Sequence, residues 1–121
     1  MSEAEGKRLL VVEDEFLIAF DLQGLLERAG HTVVGPAGSV AEGLALAGSE
    51  TLDGALLDIN LQGEKVTELA NALAARGVPF LFLSGYGASE LPPGHDGAPV
   101  LPKPFNESEL LTAVAGFAPR G

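Results

Sequence analysis

Four apolar runs in this 121-residue chain end on side chains capable of chemistry. Leu9-Leu10-Val11-Val12 runs into Glu13 and Asp14, and Ala55-Leu56-Leu57 into Asp58. Phe80-Leu81-Phe82-Leu83 closes on Ser84, and Pro99-Val100-Leu101 leads through Pro102 to Lys103. Brought together, these residues offer three carboxylates, a hydroxyl and an ammonium. Like charges held close repel, so such a group invites a hard cation. Oxygen donors without His or Cys select Mg²⁺ over zinc. Three carboxylates and one lysine sum to −2, which a single Mg²⁺ neutralises. The pocket then accepts an anionic group that the bare acids would repel.

Each residue alone has a plainer reading. Asp14 is placed to cap a following helix, Asp58 to end a strand, Ser84 to supply a turn hydroxyl and Lys103 to carry a solvated charge. The joint pattern favours chemistry, because separate strand ends carry complementary groups at once. His31 begins a strand and His95 sits in a Gly- and Pro-rich connection, and both positions suit surface roles rather than metal binding. Phe16, just after the acids, is open to two readings: an exposed contact or a buried ring.

The elements that must position these groups alternate in type. After the first apolar run, Ile18, Leu22, Leu25, Leu26 and Ala29 repeat at helical spacing until Gly30. His31-Thr32-Val33-Val34 reads as a second strand closed by Gly35-Pro36, and Ser39 with Glu42 forms a capping box opening a second helix through about Ala47. Ala55–Asp58 is the third strand. Val66, Leu69, Ala70, Leu73 and Ala74 then mark one face of a helix. Phe80–Ser84 is the fourth strand and Pro99-Val100-Leu101 the fifth. Asn106 with Glu109 caps a last helix bearing Leu110, Ala113, Val114 and Phe117. Strands alternating with helices predict an α/β fold: a flavodoxin-like, doubly wound, five-stranded parallel sheet in the order 2-1-3-4-5. In that order the first and third strands are neighbours, and the crevice between them opens where Glu13, Asp14 and Asp58 end their strands. The fourth helix is expected to be short or absent, because residues 85–98 hold Gly85, Gly87, Pro92, Pro93, Gly94 and Gly97, leaving one turn at Ala88–Leu91.

Length and composition bound the function. The chain fits one domain, 1–121, with a core over about 7–118. A formal charge of −10 argues against a nucleic-acid backbone or an anionic membrane surface as partner. The absence of cysteine excludes disulfides, thiolate metal sites and cysteine nucleophiles, and it agrees with the cytoplasm. No apolar run reaches the roughly 18 residues of a membrane span, and the acidic N-terminus lacks the order of a signal peptide.

Val11-Val12-Glu13-Asp14-Glu15, Leu56-Leu57-Asp58-Ile59-Asn60-Leu61, Phe82-Leu83-Ser84-Gly85 and Leu101-Pro102-Lys103-Pro104-Phe105 together resemble the signature of bacterial response regulator receiver domains. The stretch Pro79–Gly87 further resembles the "FAT GUY" subgroup of single-domain receivers, with Leu83 and Ser84 where that motif has Ala and Thr. The resemblance implies that Asp58 takes a phosphoryl group from the phosphohistidine of a sensor histidine kinase or histidine phosphotransferase. It implies Mg²⁺ held by Asp14, Asp58 and the Asn60 backbone carbonyl, with Glu13 acting through a bound water. Lys103 and Ser84 would contact phosphoryl oxygens, helped by the backbone N–H groups of Ile59 and Gly85. Pro104 permits a cis peptide bond that would aim the lysine inward. Asn60 and Tyr86 stand where the family modulates hydrolysis of the aspartyl phosphate.

Other implications concern output. A stand-alone receiver would switch contacts with a downstream protein target or act as a phosphate sink, with no separate substrate turnover. Phe16 would contact the kinase if exposed. Val100 replaces the aromatic residue of the fifth strand, so the family's aromatic relay is not expected, and a reduced fourth helix favours a monomer. Three other functions compete: a small Mg²⁺-dependent phosphohydrolase using Asp58, a phosphorylation-independent interaction module, and a flavodoxin-like nucleotide binder. The last fails locally, because the first strand leads into acids that repel phosphate rather than a Gly-rich loop.

Overall fold

A computed structural model describes residues 6–61, 64–85, 91–92, 94–95 and 97–117. The apolar runs form the strands β1 (Arg8–Val12), β2 (Thr32–Ala37), β3 (Gly54–Asp58), β6 (Phe80–Ser84) and β7 (Val100–Pro102) of one parallel sheet. Its order is β2-β1-β3-β6-β7, which is the expected 2-1-3-4-5 counted over the sheet strands. The helices are α1 (Phe16–Arg28), α2 (Val40–Ser49), α3 (Thr67–Ala75) and α4 (Glu107–Ala115). Between β3 and α3 lies a small antiparallel hairpin, β4 (Asn60–Leu61) and β5 (Glu64–Lys65), which periodicity did not reveal because two-residue strands are too short to carry a period. Among the described residues between β6 and β7 none is helical, and most of the expected Ala88–Leu91 turn falls outside them.

Near-continuous apolar strands need cover on both faces, and they receive it. On one face Leu10, Val12, Leu57 and Phe82 pack with Ala47 of α2 and Leu69, Ala70 and Leu73 of α3. On the other, Leu9, Val11, Leu56 and Leu83 pack with Leu22 and Leu26 of α1 and Leu110 and Val114 of α4. Alternate residues of each strand thus feed opposite layers. Phe117 is buried beyond the end of α4, against Gly54.

The second strand does not stop at Gly35-Pro36 as expected. It runs on to Ala37, through a cis Gly35–Pro36 bond and a register shift opposite Leu10–Val12. Proline fits here because β2 is an edge strand. Gly35 adopts φ +100°, and a Cβ there would stand 2.7 Å from the Ala37 nitrogen. The extension lets the Glu13 N–H donate to Ala37 O at 2.9 Å, holding the first acid in sheet register.

Gly54 tests the packing. A Cβ on it would lie 2.4 Å from a Phe117 ring carbon. Gly54→Ala is expected to destabilise the fold by about 1–3 kcal/mol through overpacking. Urea unfolding should show a lower midpoint at unchanged slope.

Candidate functional site

Parallel pairing puts the C-terminal strand ends on one edge of the sheet. Val12 is level with Leu57, Asp58 with Leu83, and Ser84 with Pro102. Glu13, Asp58, Ser84 and Lys103 are therefore each within one residue of the same rim. Carboxylate oxygens of Glu13, Asp14 and Asp58 lie within 4.8 Å of one another. Glu13 and Asp58 are buried, at 2% and 5% exposure, and Ser84 is buried beside them.

Asp14 does not cap α1. The cap is Glu15, whose side chain makes no capping bond, while its backbone N–H donates to Glu13 Oε2 at 3.0 Å. The turn into α1 is thus shaped by Glu13, and Asp14 stands half-exposed on the pocket wall.

Lys103 enters from the opposite side. Its Nζ is 2.8 Å from Glu13 Oε1 and 3.4 Å from Asp58 Oδ2. The Lys103 N–H donates to Ser84 O at 2.7 Å, fixing the end of β7 to β6, and the Lys103–Pro104 bond is cis. Burial alone would lower the ammonium pKa. The contact with Glu13 and the charges of Asp58 and Glu13 outweigh that and raise it. Burial is also the largest influence on Glu13 and raises its carboxyl pKa, with Lys103 and the Glu15 N–H opposing. Although the ammonium is close, Glu13 Oε1 has no aligned hydrogen-bond donor among the described residues. A buried oxygen short of a donor, in an all-oxygen group with excess negative charge, suits a hard divalent cation.

The Ile59 N–H, which the resemblance implies would face a phosphoryl oxygen, donates to Leu83 O at 3.0 Å. His95 is half-exposed, as its surface reading expects, and its ring also packs edge-on against Phe80 and Phe82, with centroids 5.3 and 6.4 Å away, while Nε2 lies 2.7 Å from Asn71 Oδ1. His31 Nδ1 accepts from the Lys7 N–H at 3.0 Å. Tyr86 lies outside the described residues, and of Asn60 only the backbone is placed, in β4.

Comparison with known proteins agrees with this geometry. Residues 9–115 match the family model of the response regulator receiver domain. This chain belongs to the response regulator receiver family. The receiver is 30% identical over 115 residues to the transcriptional regulatory protein PdtaR of Mycobacterium tuberculosis, an alignment covering 92% of this chain and 56% of PdtaR. It therefore spans about half the length of that relative. The solution structure of SdrG from Sphingomonas melonis superposes with a TM-score of 0.81 at 41% identity, covering 91% of this chain and 94% of that one. The BeF3-activated conformation of SdrG gives 0.77 at 40% identity, covering 89% and 92%. The family places the receiver in two-component signalling.

The structure also exposes what sequence patterning missed. Phe16, Leu17 and Phe20 of α1 are 76%, 77% and 66% exposed, and the Phe16 and Phe20 rings stack at 6.2 Å. Phe16 is thus on the surface, and it belongs to a patch. Leu17, Phe20, Pro104 and Phe105 line, together with Asp14, Asp58, Ser84, Gly85 and Lys103, an open cavity of about 960 Å3. The clue in the sequence was Phe16-Leu17 and Phe20, apolar residues off the buried Ala19-Leu22-Leu26 stripe of the same helix.

Lys103→Ala removes the positive charge between Glu13 and Asp58. It is expected to destabilise the metal-free receiver by roughly 2–4 kcal/mol near neutral pH, as removal of one partner of a buried pair does. Glu13 holds its proton to a higher pH in the folded state than in the unfolded one, so its burial costs nothing below the ordinary carboxyl range and costs progressively more from there up to its raised value. Urea titrations across that range should show the variant's deficit shrinking as pH falls.

Proposed function

We propose that the receiver is a phosphoryl-accepting switch, with Asp58 as acceptor and Mg²⁺ as cofactor. The observation that carries the reading is Lys103 Nζ held between Glu13 and Asp58 in a group of three carboxylates. An Asp58 carboxylate oxygen attacks the phosphorus of a phosphohistidine. A P–O bond forms as the P–N bond breaks, and the imidazole leaves with that electron pair. Asp14, Asp58 and the Asn60 backbone carbonyl would hold Mg²⁺, with Glu13 acting through water. An ion held there would supply positive charge to offset that of the transferring group.

The chain's own residues supply the rest. Lys103, pinned through its backbone to Ser84, offers its ammonium to one phosphoryl oxygen, and the Ser84 hydroxyl and the Gly85 N–H serve another. Each donor sits on a strand end or next to one, so little reorganisation accompanies transfer. The acyl phosphate is later lost to water, with the side chains of Asn60 and Tyr86 modulating the rate. A histidine kinase or histidine phosphotransferase is the donor, seated on Phe16, Leu17 and Phe20 beside the pocket mouth. Output is either contact with a downstream protein or withdrawal of phosphoryl groups from another regulator.

Intact-mass measurement with Mg²⁺ and a small acyl-phosphate donor tests this directly. The wild type is expected to gain one phosphoryl group, whereas Asp58→Asn or omission of Mg²⁺ should abolish the adduct. Donor turnover with no adduct in any state would instead indicate a phosphohydrolase, and no change at all an interaction module.

A further inference from the structure

The connection after Asp58 is anchored at both ends and in its middle. The Ile59 N–H bonds to Leu83 O, Asn60 pairs with Lys65 and Leu61 with Glu64, and Leu61 and Val66 are each 1% exposed in the core. Glu64 then reaches across to a different element. Its Oε1 accepts a hydrogen bond of 3.0 Å from the Val40 N–H, in the first turn of α2. That donor has no partner within its own helix, so a carboxylate there meets both a vacant N–H and the positive end of the helix dipole.

The turn that Glu64 grips leads back to the first acid. Gly38 N–H donates to Glu42 Oε1 at 2.7 Å and Glu42 N–H to Ser39 Oγ at 3.1 Å, which holds the turn before Val40. Ala37, just upstream, accepts the backbone N–H of Glu13. A closed circuit results: Glu13, Ala37, the α2 entry, Glu64, the hairpin and Asp58. Glu13 and Asp58 are related through the β1–β3 ladder, and Lys103 bridges their side chains. Glu64 adds a further tie through the backbone, outside the sheet and on the side that carries the Asn60 backbone.

We propose that Glu64 is a positioning residue that sets the divalent-cation affinity of the Glu13–Asp14–Asp58 group by holding the β4–β5 hairpin to the α2 entry. It touches no acid of the site and acts through the hairpin backbone. The inference rests on the proposed metal role of that group.

Amide chemical shifts during Mg²⁺ titration, with backbone amide exchange of residues 59–61 and 64–66, test it in the full chain. Glu64→Ala is expected to weaken Mg²⁺ binding about three- to tenfold, the range one lost hydrogen bond supplies. It should also speed exchange in the hairpin without metal. Glu64→Gln keeps an oxygen acceptor for Val40 and should restore most of both effects. Unchanged affinity in Glu64→Ala overturns the proposal even if the variant is less stable in urea, because the residue is then only structural. Equal weakening in Glu64→Gln and Glu64→Ala also overturns it, because the charge then acts through space. A wild type that shows no Mg²⁺-dependent shifts defeats the metal reading itself, a result distinct from either.

Discussion

One ammonium among buried carboxylates is the constraint around which this molecule is arranged. Lys103 Nζ contacts Glu13 and Asp58 at 2.8 and 3.4 Å, and Asp14 completes a group that one positive charge cannot neutralise. Burial strengthens every charge interaction in the pocket, the repulsive ones included. Such a group stays folded only where the backbone gives it no means to spread. The sheet provides that rigidity: the acids and the lysine sit at or just past the ends of strands whose interiors are almost entirely apolar and buried. The residual negative charge is of the kind that a divalent ion would offset.

The same layout holds different parts of the site in different ways. Glu13, Asp58, Ser84 and Lys103 are each tied by backbone hydrogen bonds or ladder pairing to a neighbouring strand. Asn60 belongs instead to a hairpin of two-residue strands outside the main sheet. A site of this design takes its charge geometry from the sheet and places other groups on connections, where sequence can change without disturbing the strands.

The sheet order and the acid–hydroxyl–lysine group were legible because both depend on a simple rule, apolar runs interrupted at their C-terminal ends. The strand interiors Leu9–Val12, Ala55–Leu57 and Leu81–Leu83 are buried on both faces, so no alternation competes with the reading. What escaped was set by single contacts rather than patterns. The continuation of β2 through Gly35-Pro36 follows from its place at the sheet edge, and the engagement of the Ile59 N–H follows from the exact register of β3 on β6. His95 looked solvent-facing because its neighbours are Gly and Pro, yet the crossover turns its ring onto Phe80 and Phe82, more than ten residues back in the chain. The hairpin and Glu64's reach to Val40 depend on tertiary placement, which no local window contains.

The exposed face of α1 completes the physical argument. Phe16, Leu17 and Phe20 are left largely exposed, although the opposite side of the same helix buries Ala19, Leu22 and Leu26. Large apolar side chains left in water together, at the lip of a polar cavity, mark a surface shaped for another molecule. A net charge of −10 would repel a strongly acidic visitor at long range, so under the proposed function apolar contact is the suitable means of holding a phosphoryl donor against this rim. The group transferred in that proposal is itself anionic and would enter only where a cation and Lys103 offset the acids. Docking and chemistry would thereby be divided: the helix face would supply affinity without charge, and the strand ends charge only at the point of transfer.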